Sequence, residues 1–195
     1  NEPPEFAEMV ADGELPPVED RLPENPPVVE PTQIGSYGGT LTIHATRPTG
    51  GGGDEWSARA EYLLRITPEF ELAPNLAVSW QFEDDFETLR LNLRQGVKWS
   101  DGHPFTADDM VFWYEAEMMN ENIMPTPWRE FQTVEEGGMG GRIVKIDDYT
   151  VEFRFEEAYP FLLDMLAARW KPLAPKHYLS KYHIEYNPEA EQVAR

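Results

Sequence analysis

One run of fifteen residues, 99–113, constrains the fold of this chain more than any other part of its sequence. This signature run reads Trp-Ser-Asp-Gly-His-Pro-Phe-Thr-Ala-Asp-Asp-Met-Val-Phe-Trp. The dipeptide Asp101-Gly102 favours a tight turn, because aspartate bonds to its own backbone and glycine accepts a positive φ. Thr106, followed three residues later by Asp109, is the pattern of a capping box. The run therefore predicts a turn that leads into a helix ending at about residue 120.

The same run admits a second interpretation, because it contains three aspartates: Asp101, Asp108 and Asp109. Paired carboxylates can serve acid–base catalysis or bind a hard metal ion. Their spacing does not match a calcium loop, and the chain has no G-x-S-x-G motif and no helical pair of histidines. A turn and a helix cap account for all three aspartates, so we expect no catalytic residue, no metal site and no cofactor. A hydrolase that uses these carboxylates stays open as the alternative.

Two neighbouring motifs stand in a fixed order before the signature run. Residues 72–80 read Leu-Ala-Pro-Asn-Leu-Ala-Val-Ser-Trp, and residues 91–99 read Leu-Asn-Leu-Arg-Gln-Gly-Val-Lys-Trp. Together these motifs resemble the extracellular solute-binding proteins of family 5, which serve peptide-type and nickel-type ABC importers. The resemblance covers about residues 34–190. Members of this family run to several hundred residues, so the chain is similar to their N-terminal portion only.

The resemblance implies a fold and a division of the chain. The fold would be α/β, with an α+β extra domain, of the periplasmic-binding-protein-like class II and the large three-part type, here incomplete. Four segments are implied: a strap rich in proline and acids (1–33), the first segment of lobe one (34–48), an extra small domain of lobe one (49–168) and the start of the return to lobe one (169–195). The second lobe would be absent.

Local patterns predict the secondary structure within this frame. Alternating apolar residues predict three strands, the last two forming a hairpin, at 88–94, 142–146 and 150–155. Helical spacing predicts three further helices, at 56–66, 159–169 and 176–182. In residues 1–36, eight prolines and nine acids accompany one arginine, Arg21. That composition predicts an extended or partly disordered strap.

Composition limits the partners of the chain. Its formal net charge of -20 argues against binding to nucleic acid or to anionic membrane surfaces. The absence of cysteine excludes disulfides and thiolate metal sites. No apolar stretch approaches the length of a membrane span. The acidic surface is expected to keep an exported protein soluble.

The resemblance also implies a function and a location. The chain would be a fragment of an extracytoplasmic receptor, monomeric, which closes its lobes around a small solute and delivers it to an ABC permease in the membrane. The solute would be a peptide or a related extended molecule such as an oligosaccharide. The parent protein would be periplasmic or extracellular and tethered to the membrane, with its signal segment outside this chain. A structural or interaction module that uses the acidic N-terminal segment is a further alternative.

Four residues are candidates for contact with the solute. Gly51 and Gly52 belong to a run of four glycines, which would let the backbone approach an extended ligand closely. Asp54 follows this run and could meet a cationic group. Trp128 lies on a proline-rich loop and is expected to expose its ring for stacking.

Overall fold

A computed structural model of the chain describes residues 2–29, 31, 33, 35–40, 42 and 61–193. The chain divides into two compact units, Asn1–Glu61 and Tyr62–Arg195. Of the segment 34–48, which the resemblance assigns to lobe one, the structure describes residues 35–40 and 42. In the ranges given above, no helix is long and apolar enough to cross a membrane.

The first unit contains two short helices, α1 (Pro4–Ala11) and α2 (Val18–Arg21). Pro4 stands in the first turn of α1, where its missing N–H would have had no intrahelical partner. Gly13 has a φ of 76° and follows the end of that helix. The expectation of an extended strap is wrong for these residues, because proline at a helix start is compatible with the helix that follows it.

Arg21 joins the two helices of the first unit. Its Nε donates to the carbonyl oxygen of Pro16 (2.9 Å), and its terminal nitrogen forms an ion pair with Glu2. The guanidinium also lies 5.7 Å from the centroid of the Phe6 ring, within the range of a cation–π contact. One basic residue therefore organises an acidic segment that composition alone marks as unstructured.

The second unit contains two antiparallel sheets. Its strands in chain order are β1 (Leu64–Ile66), β2 (Leu72–Pro74), β3 (Ala77–Glu83), β4 (Thr88–Leu93), β5 (Arg142–Asp147) and β6 (Thr150–Arg154). β1 and β2 form a hairpin, and the other strands form a sheet in the order β3-β4-β6-β5. The predicted strand at 88–94 and the predicted hairpin of β5 and β6 are confirmed.

The helix predicted at 56–66 is wrong where the structure describes it. Leu64 starts β1 and pairs with Pro74 of β2. The helix prediction relied on the apolar spacing that includes Leu63 and Leu64. Both side chains are indeed fully buried, but they are buried at the start of a strand rather than from a helix. Pairing with β2, which sequence periodicity does not reveal, decides the strand conformation.

The second unit also contains four helices in its described part. These are α3 (Ala107–Phe112), α4 (Leu162–Ala168), α5 (Lys176–Leu179) and α6 (Ala190–Val193). A π-helical stretch, Trp113–Met118, continues α3, and a 3₁₀ turn, Ser180–Tyr182, continues α5. The helices predicted to start at the capping box and at residue 176 are confirmed.

The core forms where the apolar face of the large sheet meets these helices. Leu89 and Leu91 of β4 are fully buried and lie opposite Phe153 and Val151 of β6. Phe112 of α3 is 2% exposed and belongs to the same cluster. An antiparallel sheet with separate helices packed on it is an α+β arrangement, as expected for this part of the chain.

Candidate solute-binding site and the signature run

The signature run begins with the predicted turn. Gly102 has a φ of 87°, and Asp101 Oδ1 accepts a hydrogen bond from the His103 backbone N–H (3.1 Å). The Gly102 N–H donates to the Trp99 carbonyl oxygen (2.9 Å), which closes the turn. The prediction of an aspartate–glycine turn is confirmed.

The predicted cap at the start of α3 is also present. Thr106 and Asp109 form a reciprocal capping box, in which the Thr106 N–H donates to Asp109 Oδ2 (2.9 Å). Asp109 is 3% exposed and accepts two more hydrogen bonds, from Trp99 Nε1 (3.2 Å) and the Lys176 N–H (3.0 Å). One carboxylate therefore caps α3, orients an indole and holds the start of α5.

Asp108 forms ion pairs with two lysines from other elements. Its Oδ2 lies 2.6 Å from Lys145 Nζ on β5, and its Oδ1 lies 3.3 Å from Lys176 Nζ on α5. The hydrogen bond from Lys145 is the main cause that holds the pKa of Asp108 below its ordinary value. The same bond, with a second one to Asp148, raises the pKa of Lys145. Asp108 thus connects α3 to both β5 and α5.

Two imidazole rings stack where α5 meets the turn. The rings of His103 and His177 are parallel within 4°, with centroids 3.8 Å apart. His177 Nε2 donates to Asp101 Oδ2 (2.6 Å), and His103 Nδ1 donates to the Pro104 carbonyl oxygen (3.1 Å). These tautomers follow from the acceptors opposite each nitrogen. The hydrogen bond from His177 is the main cause that lowers the pKa of Asp101.

These contacts give each aspartate of the signature run a structural partner. A general base needs a carboxylate that can reach a substrate proton, whereas Asp109 is enclosed and Asp101 and Asp108 are held by histidine and lysine side chains. Among the described residues, no group of three or more histidine, cysteine or acidic side chains is placed to hold a metal ion. The arrangement acts as a joint between the sheet, α3 and α5.

Trp128 is the predicted ligand-binding residue that the structure describes. Its ring is half-buried against the core rather than fully exposed, with the rings of Trp113 and Trp170 at 5.6 and 5.5 Å. The Trp128 N–H donates to Met118 Sδ (3.4 Å), which ties its loop to the end of the π-helical stretch. The loop is therefore fixed, and part of the indole faces outward.

Further rings pack against Trp170, the neighbour of Trp128. Phe131 lies 5.6 Å from Trp170, and Tyr159 lies 6.0 Å from the same indole. Burial in this cluster, together with the carboxylate of Glu130, raises the pKa of Tyr159 to about 12. The cluster orients Trp128 through its contacts with Trp113 and Trp170.

The other three candidate contacts, Gly51, Gly52 and Asp54, lie outside the described residues. Their role in binding stays a prediction from the sequence.

Comparison with known proteins decides the family. The family model of the bacterial extracellular solute-binding proteins, family 5 (middle part), matches residues 71–193. The chain belongs to this family. The match contains the whole signature run, the large sheet and the helices α3 to α6.

Individual relatives agree with this assignment. A periplasmic α-galactoside-binding protein of Rhizobium meliloti (strain 1021) is 35% identical over 91% of this chain and 28% of its own length. The solved structure of an oligopeptide-binding protein OppA has a TM-score of 0.82 at 36% identity, covering 98% of this chain and 30% of that one.

A second solved structure is similar to this chain over nearly its full length. The periplasmic binding protein MelB of Agrobacterium fabrum C58, in complex with stachyose, has a TM-score of 0.74 at 35% identity and covers 94% of this chain. The chain spans 31% of that protein. It therefore shares the class II binding-protein fold of its relatives and spans less than a third of their length.

Sequence reasoning missed the contacts of the signature run that cross the fold. Asp101 meets His177 across 76 residues, and Asp108 meets Lys145 across 37 residues. No local spacing signals such pairs, since they exist only once the sheet and α5 have come together. The turn and cap residues beside each aspartate predicted its local role in the signature run. They did not predict its contact with a distant element.

Proposed function

We propose that this chain is part of an extracytoplasmic receptor of an ABC importer, which captures an extended solute and delivers it to a membrane permease. The family match over 71–193 carries the proposal. Capture would follow the closure of two lobes on the solute, since a ligand that contacts both lobes stabilises the closed state. The N-terminal segment 1–33, the lobe-one segments 34–48 and 169–195 and the extra small domain 49–168 are proposed divisions of this receptor, and the receptor is proposed to be a monomer.

We infer that the solute is an oligosaccharide or an oligopeptide. Relatives that match over most of the chain are named for an α-galactoside, for stachyose and for oligopeptides. Isothermal titration of the full-length receptor with stachyose and with short peptides tests this inference. Saturable binding of one class is expected, and failure of both classes to bind would contradict it.

The 195-residue chain alone is expected to bind the solute weakly or not at all. A closed cleft needs surfaces from two lobes, whereas this chain spans less than a third of the relatives' length. Titration of the isolated chain against the same solutes measures this directly. Micromolar binding by the isolated chain would show that the site lies within it.

Trp128 is proposed to stack on the solute from the loop that its neighbours fix. Its half-buried ring is held between Trp113 and Trp170, so little side-chain entropy is lost on binding. In the full-length receptor, Trp128→Ala is expected to weaken solute binding by about tenfold. The matched control is Trp80→Ala, since Trp80 is another half-buried ring, on β3. Equal solute affinities of the two variants would show that Trp128 does not contact the solute.

Gly51, Gly52 and Asp54 are proposed to line the same site. The glycines would allow close approach of the backbone to the solute, and Asp54 would accept hydrogen bonds from a hydroxyl or cationic group. Asp54→Asn tests the charge without a change of shape. A solute affinity within about twofold of the parent value would exclude a charge contact at this position.

A further inference from the structure

The helix that begins in the signature run changes its hydrogen-bond register before it ends. α3 is an ordinary α-helix, and the stretch Trp113–Met118 that continues it is π-helical. The Met119 N–H accordingly donates to the carbonyl oxygen of Tyr114, five residues earlier, at 3.0 Å. π-Helical turns are rare and are frequent at functional sites, so the contacts that select this one point to a role.

The register decides which side chains share a face of the helix. In an α-helix, residues five apart point about 140° away from each other around the axis, because each residue turns the chain by about 100°. In a π-helix, the backbone hydrogen bond joins residues five apart, which therefore lie one above the other. Trp113 and Met118, the first and last residues of the π-helical stretch, are five apart. The π register thus places these two side chains on one face, which an α register would not do.

Trp128 contacts both of these side chains. Its ring centroid lies 5.6 Å from that of Trp113, in an edge-to-face arrangement, and its backbone N–H donates to Met118 Sδ at 3.4 Å. Trp113 and Met118 are both buried, so the core fixes their positions. The π-helical stretch therefore holds the Trp128 loop at two points, one on the ring and one on the backbone.

His183 bonds to the same stretch from the segment that follows α5. The carbonyl groups in the last turn of a helix have no intrahelical partner, and the fully buried Ala116 supplies one of them. His183 Nε2 donates to this oxygen at 3.1 Å. In an α-helix the Asn120 N–H would bond there, and a side chain that inserts at such a carbonyl disrupts the α-helical pattern. The buried His183 therefore favours the π register.

The contacts of the His183 ring identify its tautomer. The Ala116 carbonyl oxygen can only accept a hydrogen bond, so it requires a proton on Nε2. The Glu185 N–H donates to Nδ1 at 3.3 Å, which requires Nδ1 without a proton. The side-chain amide of Asn120 also lies 3.0 Å from Nε2, but a proton on Nδ1 would serve that contact alone. The tautomer with Nε2–H therefore satisfies more of the surrounding groups.

We propose that His183 is a positioning residue for Trp128. Its bond to the Ala116 carbonyl oxygen selects the π register, and that register presents Trp113 and Met118 to the Trp128 loop. His183 acts through the helix rather than by contact with the solute. Its effect on solute binding rests on the proposed stacking of Trp128 on the solute, whereas its effect on the orientation of the ring does not.

Three substitutions of His183 separate its hydrogen-bond donor from its volume. His183→Gln keeps an N–H near the position of Nε2, His183→Asn moves the donor to the position of Nδ1, and His183→Leu has none. The full-length receptor is labelled with 5-fluorotryptophan, and the Trp128 fluorine resonance is assigned from its loss in Trp128→Phe. Affinity is measured for stachyose or trialanine, whichever the receptor binds.

We expect His183→Leu and His183→Asn to shift the Trp128 resonance and to weaken solute binding by about fivefold, because the ring is no longer held in its binding orientation. His183→Gln should stay close to the parent in both measurements. The matched control is Val151→Ala, since Val151 is fully buried in β6, opposite Leu91. It should lower stability without moving the Trp128 resonance or the affinity.

An unshifted Trp128 resonance in folded His183→Asn or His183→Leu would overturn the proposal, and so would an equal shift in His183→Gln or in the control. Parental affinity of His183→Leu would also overturn it if Trp128→Ala weakens binding. A shifted resonance with parental affinity in both His183→Leu and Trp128→Ala would support the positioning by His183 and contradict the contact of Trp128 with the solute.

Discussion

Two acidic stretches of this chain differ in what surrounds their carboxylates. In residues 101–109, every aspartate side chain accepts hydrogen bonds from another element. In residues 83–87, the side chains of Asp84, Asp85 and Glu87 have no partner within residues 61–193. The first stretch joins parts of the fold, and the second belongs to a turn at the surface. Acidic composition therefore indicates neither catalysis nor a binding site until the partners of each carboxylate are known.

The difference has a physical origin in where the two stretches lie. The signature run contains α3 and contacts β5 and α5, and a carboxylate buried there without hydrogen bonds would be strongly unfavourable. The turn after β3 is open to water, which solvates its carboxylates. Changes to the first stretch should thus alter the free energy of unfolding, and changes to the second should leave it nearly constant.

Asp109→Ala is expected to have the largest effect on stability. It removes the helix cap and leaves the donors of Trp99 and Lys176 without their acceptor. We expect the free energy of unfolding of the 195-residue chain to fall by about 2–3 kcal/mol. Chemical denaturation followed by tryptophan fluorescence measures it. A loss below about 0.5 kcal/mol would show that the capping carboxylate does not hold α3 and α5 together.

Asp108→Asn is expected to have a smaller effect that depends on pH. Lys145 lowers the pKa of Asp108 in the folded state, so the ion pair stabilises the fold above the ordinary carboxyl pKa of 3.8. That stabilisation is lost as the pH falls through the lower folded-state pKa. Since both side chains are partly exposed, we expect a difference of about 0.5–1 kcal/mol between parent and variant at pH 7.

Unfolding measured at several pH values supplies the control for the Asp108–Lys145 ion pair. The difference in unfolding free energy between parent and Asp108→Asn should shrink as the pH is lowered from 4 toward 2, and it should also shrink in high salt. Both trends are accessible from denaturation curves at each condition. A difference that stays constant over this range would mean that packing, rather than charge, connects Asp108 to Lys145.

Asp85→Asn is expected to have the smallest effect. Asp85 has a φ of 51°, a conformation that asparagine tolerates at least as well. The change also removes one of several like charges in the turn. The free energy of unfolding should change by less than about 0.5 kcal/mol. A destabilisation as large as that of Asp109→Ala would erase the distinction between the two stretches.

Local signals in the sequence predicted much of the second unit. The turn at Asp101, the cap at Thr106 and the hairpin of β5 and β6 all depend on residues close in sequence. The strand β1 was mistaken for a helix, because its conformation depends on pairing with β2. The two helices near Arg21 were not predicted, because the high proline content indicated an extended segment. The contacts of Arg21 with Glu2 and Phe6 were not apparent from composition.

The candidate site was less accessible to sequence reasoning. Trp128 was expected on an exposed loop, but Trp113 and Trp170 bring its ring halfway into the core. The bonds of Asp108 and Asp109 to α5 required the fold itself. Phe70 and Phe86 show no periodicity that would single them out, since their left-handed turn conformation appears only in three dimensions.

We propose that the signature run is a structural joint and that the full-length receptor captures its solute elsewhere. The most direct test is isothermal titration of the full-length receptor with its solute, comparing the parent with Asp109→Asn at a temperature where both are folded. The dissociation constants should agree within about threefold. Loss of solute binding by the folded variant would contradict the claim, because it would place the capping carboxylate in the binding site.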